Sequence, residues 1–218
     1  MEKDKKTELT QESQKKFHPV YLWAIFYVIT IYMFPLVFLL QNAGEETEEN
    51  ISFWPLIIPV LMGLVNLIIV LLYQKRIGRI RLLNCAIIIK YSLIPFFIFG
   101  GMIIAIALLL MFTPVVIGIF LGPVIAVIFS VLGWLVVVGS APFSVAYIAL
   151  SYKEKVHNRP FSIIAGICQF LFTLDVLSLM VLVLKEKRCV KSTVFVIILL
   201  ILAIVVSTIW LGVKIATS

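Results

Sequence analysis

The chain has 218 residues, a net charge of +7, and a composition that is 62% hydrophobic and only 13% charged. No polar segment is long enough to fold alone, which excludes a water-soluble domain and with it nucleic-acid binding, for which no basic soluble surface exists. The expected class is all-α: a polytopic transmembrane helical bundle over residues 20–218, preceded by a tail, residues 1–19, rich in Lys, Glu and Gln and read as disordered.

The first apolar run, residues 20–40, is long enough at ~1.5 Å per residue to cross a ~30 Å hydrocarbon core. It follows a charged stretch, as a signal peptide does. However, it exceeds the usual apolar core and no small-x-small cleavage site follows, so it reads as an uncleaved span. Tyr21, Trp23 and Tyr27 suggest an aromatic anchor at one end, and Pro35 a late kink. Residues 41–52 carry Glu45, Glu46, Glu48 and Glu49 and no Lys or Arg, so this loop reads as external. Its Asn50-Ile51-Ser52 is a glycosylation sequon, relevant only in a secretory pathway. The second span is residues 53–72. Lys75, Arg76, Arg79 and Arg81 then bring the chain back to the cytoplasmic side, where basic loops meet anionic lipid.

Residues 82–151 hold one charge, Lys90. Two long helices, about 82–112 and 123–152, joined by an apolar link over 113–122, would fit, and so would three shorter ones. A basic link at 153–159, a span over 161–184, a second basic link at 185–191 and a last span over 193–213 complete the chain. That makes six spans, or seven if the long region crosses three times. Both arrangements place 13 Lys and Arg inside and four outside, with Lys90 left out. Six is favoured, because a turn between spans normally carries something more polar than Gly100-Gly101.

Asp175 lies near the middle of the run 161–184, where a carboxylate is costly to hold. On one continuous helix Cys168, seven residues back, and Ser178, three ahead, share its face. Lys90 is its natural partner. It sits about 13 Å beyond Arg81, and Asp175 about 15 Å before Lys185, at helical rise. The two are expected to pair, either as a proton or ion relay or ligand site, or as a purely structural buried pair. Asn66 is the other polar residue deep in a span and suits interhelical hydrogen bonding. Gly118 and Gly122 form a small-xxx-small pattern.

Cys85, Cys168 and Cys189 have no metal-ligand spacing and do not make a disulfide framework. Cys189 sits among Lys187, Arg188 and Lys191, which favours a reactive thiol. His18 and His157 are the two histidines, and neither falls in a span. The sequence therefore offers no intramembrane Ser-His pair, no His-Glu-x-x-His site, no aspartyl dyad and no phosphate-binding loop, and it points to no cofactor, no metal and no enzyme.

The stretches Cys168-Gln-Phe-Leu-Phe-Thr-Leu-Asp175-Val and Ser144-Val-Ala-Tyr-Ile-Ala-Leu-Ser-Tyr-Lys-Glu-Lys155 resemble small multi-pass membrane proteins of Firmicutes without an assigned function. The resemblance covers the C-terminal third and implies a bacterial plasma membrane, with the N-terminus cytoplasmic from the charge pattern. Six short-looped spans are also similar to the substrate-capturing subunits of energy-coupling importers, although the first span, with only Ala24, lacks their spaced alanine motif. Two functions remain as expectations. One is a transport-related subunit binding an ion or small molecule. The other is a non-transporting accessory or immunity-type protein that meets a membrane-protein partner through its helices.

Overall fold

In lipid a backbone amide must find its partner within its own helix. The computed structural model accordingly holds only helices among its described residues, which are 18–42, 57–112, 116–187 and 189–217. The N-terminal tail, the acidic loop with Glu45, Glu46, Glu48 and Glu49, and the sequon at Asn50 lie outside them. The helices are α1 (Pro19–Asn42), α2 (Ile57–Ile77), α3 (Arg79–Leu110), α4 (Val116–Lys153), α5 (Arg159–Cys168), α6 (Leu174–Lys185) and α7 (Val190–Thr217). Four of them, α1 to α4, are long and apolar enough to cross a membrane. Their outward faces carry large exposed apolar side chains, such as Leu61, Leu64, Ile68 and Leu72 along α2. Such a surface suits hydrocarbon rather than water.

Helices α3 and α4 form the central antiparallel pair, with α2 against α4 and α1 against α3. Gly78, at φ +80°, is the whole joint between α2 and α3. Only a residue without a β-carbon adopts that angle freely, so the basic stretch that holds Lys75, Arg76, Arg79 and Arg81 is helical on both sides of a one-residue break. The link expected over 113–122 is shorter too, because helix resumes at Val116 and runs through Pro123. Gly122 lies inside α4, and a β-carbon there would collide with the Ala107 carbonyl of α3. The missing side chain is what lets these two helices touch.

Lipid-interface anchoring does not describe Trp23 and Tyr27 of α1. Tyr27 is fully buried and donates to the Val136 carbonyl at 3.2 Å, while Trp23 Nε1 donates to Asn66 Oδ1 at 2.7 Å. Asn66 Nδ2 in turn donates to the Gly139 carbonyl at 2.9 Å. Pro142, three residues on, has no amide hydrogen to give the Val138 carbonyl four residues back. The carbonyls that accept from the neighbouring helices, Val136 and Gly139, flank that position.

The largest departure from expectation is at residues 161–184, which are not one continuous helix. Helix α5 ends at Cys168, residues 169–173 turn, and α6 runs back beside α5. Ser178 Oγ lies 3.5 Å from the Ala165 carbonyl and 2.6 Å from Gln169 Nε2. At the open end, Lys185 Nζ sits 4.1 Å from the centroid of the Phe161 ring. The two short helices are thus a hairpin that leaves one end of the bundle and returns to it. That end also holds the starts of α1 and α3 and the end of α4. Arg79 of α3 bonds both Glu154, at 2.9 Å, and Glu186.

Candidate functional site

The hairpin's tip is tight. Thr173 has φ 66° and ψ −43°, and the Leu174 amide donates to the Phe172 carbonyl at 2.7 Å across it. This is a γ-turn of the strained kind, and the residue at its centre is β-branched. Asp175 follows at once in the first turn of α6, so it stands at a helix N-terminus and not mid-helix. The amide of Val176 donates to Asp175 Oδ1 at 2.7 Å.

The second oxygen, Oδ2, accepts from Lys90 Nζ at 2.6 Å. The side chains of Lys90 and Asp175 are 0% and 1% exposed, so the lysine does not reach for the interface. Lys90 lies on α3, about 16 Å from Arg79 at helical rise, and α6 has about the same length, so the depths match. An ammonium carries three N–H donors. Among the described residues Asp175 is the one acceptor Lys90 has.

The other residues marked from sequence separate into two places. Ser178 lies one turn beyond Asp175 and faces α5 through Gln169. The buried Gln169 also donates to the Ala165 carbonyl at 3.3 Å, while its Oε1 has no partner. Cys168 ends α5 half-buried and unbonded to the pair. Because the chain turns between them, Cys168 and Asp175 do not share a helix face. Asn66 belongs to the separate cluster with Trp23 and Gly139. Gln169 carried no signal of its own in the sequence beyond lying beside Cys168. Its place in the hairpin depends on a turn that no Gly or Pro announces.

A second group that the sequence did not single out lies at the hairpin's open end. Glu186 accepts from Tyr147 Oη at 2.5 Å and from Arg79, and its Oε1 stands 3.7 Å from His157 Nε2. His157 is buried against Phe161, its rings' centroids 5.2 Å apart, and its Nδ1 has no partner. Burial, and then Lys185, push the imidazole below its ordinary value, Glu186 opposing them and Arg79 adding to them. The signal for this group was Glu186 itself, an acid within an otherwise basic link. With the favoured six spans the link was expected on the opposite side of the membrane from Arg79, which hid it.

The three cysteines are free, and no group of His, Cys, Asp and Glu among the described residues has the geometry of a metal site. Neither a curated protein nor a solved structure matches the chain. A family model does, over residues 16–188, a stretch that takes in α1 to α6 with both Lys90 and Asp175 and stops short of α7. The chain therefore belongs to DUF6652, a family of unknown function.

Proposed function

We propose that the protein is a transport-related membrane protein whose hairpin α5–α6 re-enters the bilayer from the cytoplasmic side and carries an ion-linked site, Lys90 and Asp175, near the midplane. The observation that carries this reading is the fully buried 2.6 Å pair at the tip of that hairpin. A buried ion pair is a poor stability device, since apolar residues of similar size serve as well or better. Strained turns and ionisable groups at membrane depth cluster where a protein does work.

The mechanism follows from charge balance. Paired, Lys90 and Asp175 form a neutral unit that the apolar bundle tolerates. Protonating Asp175, or seating an anion or carbonyl oxygen on the unspent donors of Lys90, unbalances the pair. The tip is then released from α3, so occupancy and hairpin position are linked. Non-helical backbone at this depth is tolerated where it meets protein or a polar cavity, the arrangement found in transporters with broken helices.

The same reading sets the topology. Helices α1 to α4 and α7 cross, giving five crossings with the hairpin returning to its own side. All of the 18 Lys and Arg except Lys90 and Lys214 then fall on one side of the membrane, counting those of the tail that leads into α1. This is more asymmetric than either six or seven crossings allows. It supports a cytoplasmic N-terminus in a cell membrane, with anionic lipid at the basic end.

The test is ion flux. Full-length protein is reconstituted in liposomes containing a pH-sensitive dye, and a proton gradient is imposed. Wild type is expected to dissipate the gradient faster than empty vesicles, and Asp175→Asn and the double variant Lys90→Met/Asp175→Leu to fall to the empty-vesicle rate while keeping their helical content. Flux in the double variant equal to wild type would overturn the reading and favour an accessory protein acting through helix contacts.

A further inference from the structure

Between α4 and α5, on the outer side of the hairpin, lies an open groove of about 650 Å³. Its walls are almost wholly apolar, with Ile148 and Ala149 on α4 and Ile163, Ile167 and Phe170 on the hairpin side. The exception is its mouth, where Arg159 begins α5 at the basic end. Arg159 has no acidic partner among the described residues. One turn in, Ser162 lines the groove with its hydroxyl oxygen buried and unbonded. A turn further, Gly166 leaves open space, since a β-carbon there would meet nothing within 4 Å.

Arg159, Ser162 and Gly166 recur at helical spacing along α5, so cation, hydroxyl and gap stand in one line, and Phe170 lines the groove from the turn beyond. Helix α5 has ten residues, about 15 Å at helical rise, which is half of a ~30 Å hydrocarbon core. The groove is therefore one leaflet deep, positively charged at the headgroup level and apolar below. No lining residue among those described is acidic.

We propose that this groove binds an anionic phospholipid. Its phosphate lies on the Arg159 guanidinium, whose planar fork suits phosphate oxygens. The Ser162 hydroxyl donates to a phosphate or ester oxygen, and one acyl chain fills the channel past Gly166. The lipid thereby braces α5, the outer helix of the hairpin, against α4. Its binding does not require the Lys90–Asp175 pair to move ions.

The test uses delipidated full-length protein in detergent, titrated with phosphatidylglycerol and with phosphatidylcholine of the same acyl chains, with bound lipid read by native mass spectrometry. Wild type is expected to hold phosphatidylglycerol about tenfold more tightly, because both lipids offer a phosphate but the choline of phosphatidylcholine brings a second cation beside Arg159. Arg159→Gln is expected to abolish that preference. Gly166→Leu is expected to reduce retention of both lipids by filling the gap, and Ala149→Leu does the same from the opposite wall should Gly166→Leu fail to accumulate. Equal retention of the two lipids by wild type would overturn the proposal. So would undiminished phosphatidylglycerol binding in the groove-filled variants, or a co-purifying protein in place of lipid.

Discussion

Lys185 Nζ rests 4.1 Å from the centroid of the Phe161 ring, although on one continuous helix residues 24 positions apart would stand about 36 Å from each other. That contact defines the second half of the chain. It turns an apolar run long enough to cross the membrane into two half-length helices, and it brings Glu186 back to Arg79 and His157. The tip of the hairpin, with Asp175, is thereby carried to the depth of Lys90.

Removing one member of the buried pair leaves the other uncompensated. Lys90→Met is expected to destabilise the protein by about 3–5 kcal/mol, and Lys90→Met/Asp175→Leu to recover most of that loss. Denaturant unfolding of the detergent-solubilised protein measures both. A double variant as unstable as the single one would show that the pair is needed for folding in its own right.

The pairing of Lys90 with Asp175 was legible because depth along a helix is arithmetic, and both residues lie about ten positions from a basic boundary. The apolar runs that became α1 to α4 were legible for the same reason. The hairpin was not. Residues 169–173 contain neither Gly nor Pro, and the turn is made by a threonine in a backbone region that β-branched residues avoid. Nothing in a run of apolar residues distinguishes one long helix from two half-length ones folded back on each other. The tie between six and seven crossings arose from that assumption, since both counts treat residues 161–184 as a crossing. Similarly, Trp23 and Tyr27 have the composition of an interfacial anchor. Only Asn66 and the Val136 carbonyl, which the packing of α2 and α4 sets opposite them, give the two rings an interior role.

His157 gives the basic end a pH dependence. Its imidazole is held below the ordinary value, so the stability it contributes is present above about pH 6.5 and is lost as pH falls through the lower folded-state value. Protonation would place a charge beside Lys185 and Arg79. Thermal unfolding of wild type is expected to shift downward as the medium is acidified below neutrality, and His157→Gln to flatten that slope. A slope unchanged in the variant would assign the effect to another group.

The crossing of α2 on α4 depends on two facing glycines. A β-carbon at Gly139 would stand 2.8 Å from Tyr27 Oη and 3.1 Å from Gly63 Cα, and one at Gly63 would stand 2.8 Å from Gly139 Cα. Overpacking of that order costs about 1–3 kcal/mol, which outweighs the gain of up to ~1 kcal/mol for replacing glycine by alanine in a helix. Gly63→Ala and Gly139→Ala are therefore expected to lower the unfolding temperature. Gly100→Ala, where a β-carbon meets nothing within 4 Å, is expected to leave it unchanged or raise it.

The hairpin is tested most directly by asking on which side of the membrane its two flanking links lie. Cys189 is already exposed in the second link, and Lys155→Cys places a thiol in the first. Intact cells are treated with a membrane-impermeant maleimide, with and without permeabilisation. A hairpin that returns to its own side predicts that neither position is labelled until the cells are permeabilised. Labelling of one position from outside, with the other protected, would mean that residues 161–184 cross the membrane and would contradict the account.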